Sequence, residues 1–183
     1  MAAQAGITWS ADNGIYISSW ASNVDYDQQA SFEVDGYIGY FQTLSELVSV
    51  DLGISRYSYY GSDTSSDLNF SESYLKWQLG NSQINFWYSL DYFGSGARHF
   101  IMMAAHNIDI SEQFSIAISI DKSRSLDKDK WLWQPNDKDY LHGQISGHYL
   151  FHQFDFSIAL HRTDLNSIGD TRVFFSVSRS FGR

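Results

Sequence analysis

Taken two residues at a time, nearly the whole chain alternates. Phe32, Val34, Ile38 and Tyr40 alternate with Glu33, Asp35 and Tyr37, and Val48, Val50, Leu52 and Ile54 with Ser49, Asp51, Gly53 and Ser55. A period of two marks β-strands with one greasy face and one polar face. It leaves open which face looks inward. A soluble barrel buries the apolar parity, whereas a transmembrane barrel turns it to lipid and wraps the polar parity around its axis.

The composition favours sheet. Aromatic residues make up 17% of the 183 residues and charged residues 18%, and the one proline, Pro135, falls in a loop, so strand interiors are free of breakers. No linker or shift in composition divides residues 1–183, which read as one domain. The chain has no cysteine, so disulfides, zinc-thiolate sites and thiol nucleophiles are excluded. A net charge of -9, with no basic cluster, argues against a nucleic-acid partner. Lys128, Lys130 and Lys138, interleaved with Asp127, Asp129, Asp137 and Asp139, read as a solvated loop. The longest apolar run, Phe100 to Ala105, is far short of the roughly 20 residues of a membrane helix. MAAQAG at the start lacks the regions of a secretion signal.

Candidate strands run Ala5–Ala11, Ile15–Ser22, Ala30–Phe41, Leu47–Tyr59, Leu68–Leu79, Gln83–Phe93, His99–Asn107, Phe114–Ser123, Tyr140–Leu150, Gln153–Arg162 and Thr171–Phe181. Most are near the ~9 to 11 residues that cross a bilayer when tilted. Only a weak helical stripe near Phe100 to His106 competes with them. Connections alternate between tight, as at Asp12-Asn13-Gly14 and Asn81-Ser82, and long and polar, as at Tyr60–Asp67 and Arg124–Asp139. Short turns on one rim and long loops on the other are the habit of an outer-membrane barrel. The expected fold is therefore all-β, an antiparallel up-and-down transmembrane β-barrel. About eleven strands are visible, and bacterial single-chain barrels close on an even number. The expectation is about twelve in the complete barrel, with Met1 opening a chain that starts after a first strand; a miscount giving about ten is the alternative.

Five segments, GIYISSWASNVDY, SFEVDGYIGY, LNFSESYLKW, SLDYFGSG and GDTRVFFSVSRSF, taken in order, resemble the TorF family of proteobacterial porins. The resemblance runs from about Ala3 to Phe181. It implies an outer-membrane barrel of a Gram-negative bacterium, with a cleaved signal peptide and an additional leading strand that this sequence lacks. The last strand, with Val173, Phe175, Val177 and Phe181, is similar to the signal read by the barrel-insertion machinery; Gly182 and Arg183 extend past it.

With the apolar parity toward lipid, Phe32, Val48, Val50, Leu52, Ile54, Leu75, Trp77, Ile84, Phe86, Leu90, Ile116, Ile118, Ile120, Phe154, Phe156, Ile158 and Leu160 lie outside. A charge at the midplane of that face costs ~2 to 4 kcal/mol, so the acids belong inside. The candidate lumen and selectivity residues are Glu33, Asp35, Asp51, Glu72, Lys76, Asp91, Asp121, His148, Asp155 and Arg172, with Tyr37, Tyr57, Tyr74 and Trp87 narrowing the passage. An acidic lumen with low-dielectric walls concentrates cations; the competing reading is an internal polar plug. A two-residue turn at Asn81-Ser82 would set Glu72 opposite Asp91 and Lys76 opposite Trp87, and the two carboxylates would share a proton or recruit a cation. One at Phe151-His152 would set His148 opposite Asp155 and His142 opposite His161.

Ser146 and Ser157, near His148 and Asp155, supply the residue types of a hydrolytic triad, but no nucleophile motif accompanies them. No catalytic residues, metal ligands or cofactor are assigned. His142 and His148 lie about 20 Å apart along an extended strand at ~3.3 Å per residue. The expected function is passive, mildly cation-preferring passage of small solutes, with membrane lipid and the insertion machinery as partners. The alternative is a plugged barrel acting as an anchor or surface receptor through its long loops. In that reading Trp131 and Trp133 contact a partner, unless they anchor in the headgroup zone.

Overall fold

A computed structural model describes residues 2–26, 29–166 and 169–181. Eleven strands follow the chain: β1 (Gln4–Ser10), β2 (Ile15–Asn23), β3 (Phe32–Ser45), β4 (Val48–Tyr60), β5 (Phe70–Leu79), β6 (Ser82–Ser89), β7 (His99–Asp109), β8 (Phe114–Ser125), β9 (Asp139–Phe151), β10 (Phe154–Thr163) and β11 (Arg172–Arg179). They form one antiparallel sheet in sequence order, β1 to β11, as the alternation and turn spacing lead one to expect. The Phe100–His106 stripe is strand, inside β7. No helix among the described residues is long and apolar enough to cross a membrane.

The sheet is strongly curled. β2 and β5 lie three strand spacings apart, about 14 Å if the sheet were flat at ~4.8 Å per strand. Yet the hydroxyls of Tyr16 on β2 and Tyr74 on β5 are hydrogen-bonded, and Tyr16 also donates to Asp51 on β4 at 2.7 Å. Gly39 and Gly53 make room for this meeting. A Cβ on either would run into the Tyr74 side chain, and one on Gly39 also into that of Tyr16.

Which face is concave decides the whole reading. Ile54, Ile118, Ile120, Ile158, Phe156 and Val177 are 42 to 61% exposed, whereas Asp35, Ser55, Glu72, Ser89, Ser123 and Ser146 are 5% exposed or less. The chain is inside out relative to a soluble domain, with its hydrophobic residues on the convex surface.

Two turns differ from their expected positions. β5 and β6 meet at Leu79↔Ser82, so Gly80-Asn81 is the turn rather than Asn81-Ser82. Gly80 has a φ of +58°, the conformation that the first central position of a type II′ hairpin requires and that glycine adopts without strain. β9 and β10 meet at Phe151↔Phe154, so His152-Gln153 is the turn rather than Phe151-His152. There His152 adopts a φ of +55°, which its residue type does not advertise. Each shift moves the register by two residues and so preserves which face every side chain occupies. β6 also stops at Ser89, four residues short of Phe93, because Tyr92–Gly94 turns into a short 3-10 segment.

The tight turns share one rim and the longer connections, residues 24–31, 61–69, 90–98, 126–138 and 164–171, share the other. β1 and β11 both run from the long-loop rim to the short-turn rim, and among the described residues no pairing joins them. Met1, Gly182 and Arg183 lie outside the described residues, as do Ser167 and Ile168 of the last long connection.

Candidate functional site: the polar interior

The ladder register assigns each ionisable residue to a face. Glu33, Asp35, Asp51, Glu72, Lys76, Asp121, His148, Asp155 and Arg172 all share the inward parity. Asp91 does not belong with them. It lies beyond β6, exposed, and accepts a hydrogen bond from the backbone N–H of Gly96 at 2.6 Å. Glu72 therefore faces Ser89 rather than Asp91, and Lys76 faces Asn85 rather than Trp87. The carboxylate pair expected there does not form. Asp109 takes up an inward position instead, receiving a bond from Asn81 Nδ2 at 3.2 Å and lining a cavity with His148 and Asp155. It was missed because β7 continues two residues past its expected end at Asn107.

One wall, from β2 to β5, satisfies its acids with tyrosine. Tyr37 donates to Asp35 at 2.9 Å, Tyr59 to Glu33 at 3.0 Å and Tyr16 to Asp51, whose other oxygen is 3.8 Å from Lys76 Nζ. A cavity of about 410 Å³ lies over this wall, its lining including Thr8, Tyr16, Trp20, Asp35, Tyr37 and Lys76. A second, of about 660 Å³, sits near the short turns and includes Asn13 and Asp51.

The other wall, from β8 to β10, uses histidine. His142 Nδ1 lies 2.6 Å from Asp121 and its Nε2 3.0 Å from His161 Nδ1, while His148 Nδ1 lies 3.0 Å from Asp155. The partners His148–Asp155 and His142–His161 are those expected from sequence, although directly opposite them stand Ser157 and Thr163. Long side chains reach their diagonal neighbours across an antiparallel pair, so a two-residue register error still left the right groups in contact.

Ser146 Oγ is 3.0 Å from His148 Nε2, completing a Ser–His–Asp chain with the atom order of a hydrolytic triad. Ser146 is only 3% exposed and sits mid-strand in β9, between two paired neighbours. The amides around it serve the ladders rather than pointing at a developing oxyanion. Ser157 bonds Ser176 instead. Among the described residues no group of three or more His, Asp or Glu has metal-site geometry.

The long-loop mouth is filled by aromatic rings. Tyr59, Phe70 and Tyr92 are buried with Ala30, and Tyr57, Phe93, Trp131 and Trp133 pack on them. Tyr92 stacks on His99 at 4.0 Å and meets Trp131 edge-on at 5.5 Å. His99 is fully buried and shares a bond with Ser123. Burial holds the hydroxyls of Tyr26 and Tyr92 above the usual tyrosine range. Trp131 and Trp133 thus turn inward, with both indole N–H groups buried. That corrects the expectation that they face a partner or the headgroup zone. The loop carrying them is fastened by Asp127, whose carboxylate takes two guanidinium bonds and a backbone N–H from Arg98, and this holds its pKa far below the usual carboxylate range.

An inside-out, curled meander with a polar interior defines the class: the fold is that of outer-membrane porins. The NanC porin structure superposes with a TM-score of 0.72 at 13% sequence identity, covering 98% of this chain and 93% of that one. A KdgM porin in complex with disordered oligogalacturonate superposes with a TM-score of 0.68 at 13% identity, covering 99% and 92%. The chain belongs to the bacterial family of unknown function Gcw_chp, whose family model matches residues 1–181. No curated protein matches the sequence.

Proposed function

We propose that this protein is an outer-membrane channel for small solutes, passive rather than enzymatic and mildly cation-preferring. The resemblance to TorF-family porins supports the same reading. The observation that carries it is the sorting of charge. Glu33, Asp35, Asp51, Glu72, Asp109, Asp121 and Asp155 face the lumen against Lys76 and Arg172, and a low-dielectric wall behind them focuses their field on the passage. KdgM was captured with an oligogalacturonate, a polyanion; the acids inside this chain repel such a ligand, so neutral and cationic solutes are its proposed cargo.

The aromatic cluster across the mouth favours a second reading, a plugged barrel serving as an envelope anchor or as a receptor through its loops. Planar-bilayer recording separates the two. A channel gives unitary conductance with a reversal potential on the cation side, and galacturonate oligomers leave it unblocked. Anion preference, or silence from folded protein, defeats the channel.

A further inference from the structure

The lumen consumes nearly all the strand acids, and the strand bases show the opposite pattern. On β4, β8 and β10 the outward parity follows one formula, aliphatic or aromatic positions and then a cation. Val48, Val50, Leu52 and Ile54 lead to Arg56; Phe114, Ile116, Ile118 and Ile120 lead to Lys122 and Arg124; Phe154, Phe156, Ile158 and Leu160 lead to Arg162. Each cation stands at the long-loop end of its strand, where the oily belt stops.

Three of these cations are neighbours. Ile120, Gly143 and Arg162 share one rung across β8, β9 and β10, and Lys122 and Arg124 stand one and two rungs further toward the loops. Asp139 faces Lys122 at 3.4 Å and Arg124 at 3.8 Å, and Asp164 is occupied by the backbone N–H of Leu141 at 2.8 Å. The side chain of Arg162 forms no hydrogen bond or ion pair with any described residue. It is the cation closest to the belt, and beside it a Cβ on Gly143 would meet nothing within 4 Å. A guanidinium is tolerated near the membrane interface and becomes costly toward the midplane. It gains most from an anion supplied by the membrane itself, and arginine's planar fork matches phosphate oxygens two at a time.

We infer that Lys122, Arg124 and Arg162 form a docking site for the phosphate of a lipid headgroup in the leaflet on the long-loop side, with its acyl chains lying on Ile118, Ile120, Ile158 and Leu160. The site rests on the chain spanning a membrane and not on its conductance, so bilayer recordings and lipid binding fail independently.

The test is native mass spectrometry of the full chain released from detergent with diphosphoryl lipid A, against the same lipid stripped of phosphate. The phosphorylated form is expected to be retained at least about ten-fold better, since each basic residue at a membrane surface is worth on the order of 1 kcal/mol. K122Q/R124Q/R162Q should lose that preference and K122R/R124K/R162K should keep it, with heat-modifiable gel mobility reporting that each is folded. Should the triple variant not fold, R162Q alone is expected to show the largest single loss. Equal retention of the stripped lipid, an unchanged preference in folded R162Q or in the folded triple variant, or displacement by excess inorganic phosphate overturns the lipid site.

Discussion

Carboxylates on the β2–β5 wall are held by phenols, and those on the β8–β10 wall by imidazoles. Tyr16, Tyr37 and Tyr59 each give an acid one O–H donor, which holds it in place without bringing a countercharge. His142 and His148 each press a ring nitrogen on an acid. The same need, to hold interior carboxylates, is met by a hydroxyl donor on one side and by a ring nitrogen on the other. The walls differ in packing too. The tyrosine wall is crowded enough that two glycines are needed for Tyr16 and Tyr74 to meet, whereas Ser115, Ala117, Ser119, Ser146 and Ala159 line much of the histidine wall with small side chains.

The largest expected effect breaks the crowded wall. Gly53→Ala forces a methyl into the Tyr74 ring and the Ile38 carbonyl, and overpacking of this kind costs ~1 to 3 kcal/mol. Gly143→Ala, on β9 with open space around it, should be neutral or stabilising by up to about 1 kcal/mol. Urea titrations of the folded protein in detergent micelles measure both. Equal stability of the two variants would remove the contrast in packing.

The second effect concerns charge. Asp51→Asn on the tyrosine wall removes one interior carboxylate and should lower the cation-over-anion permeability ratio by about two- to five-fold, for charges interacting through partly aqueous surroundings. Asp121→Asn, beside His142 on the histidine wall, should lower it by a similar factor. Reversal potentials across a salt gradient read both, and a ratio unchanged in both variants would remove the interior acids from the selectivity of the passage.

The legible and the hidden parts of this molecule separate along the same lines. Parity was legible along the strands, because burying one face of each strand makes a slip of one residue untenable; even the two turns misplaced by two residues left the side chains within the strands on their expected faces, and Asp91 left its face only because β6 stops at Ser89. The turns themselves were not legible, since Asn81 competed with Gly80 for the hairpin and His152 took a positive φ that only the neighbouring strands impose. Asp91 was lost from the site and Asp109 gained through strand ends, which depend on how the loops pack. The inward turn of Trp131 and Trp133 was beyond reach of the sequence, because it follows from where the β6–β7 loop places Tyr92 and Phe93. The Tyr16–Tyr74 bond, spanning three strands, depends on curvature that no local pattern encodes.

The smallest effect tests whether the Ser146–His148–Asp155 chain acts only as a structural tie. His148 and Asp155 are about one-third exposed, so water stands in for either partner and the tie is worth little. Asp155→Asn keeps a side-chain oxygen near His148 Nδ1 and should cost no more than about 0.5 to 1.5 kcal/mol, the net worth of a hydrogen bond. Ser146→Ala removes a hydroxyl from a fully packed position and should cost about as much, with conductance unchanged. A hydrolytic unit behaves differently. There Ser146 would be labelled by a fluorophosphonate, and the labelling would vanish in His148→Asn while stability stayed put. Labelling of that kind would turn the histidine wall from the proposed selectivity surface into a reaction centre, so this mildest pair of substitutions bears hardest on what the histidines are for.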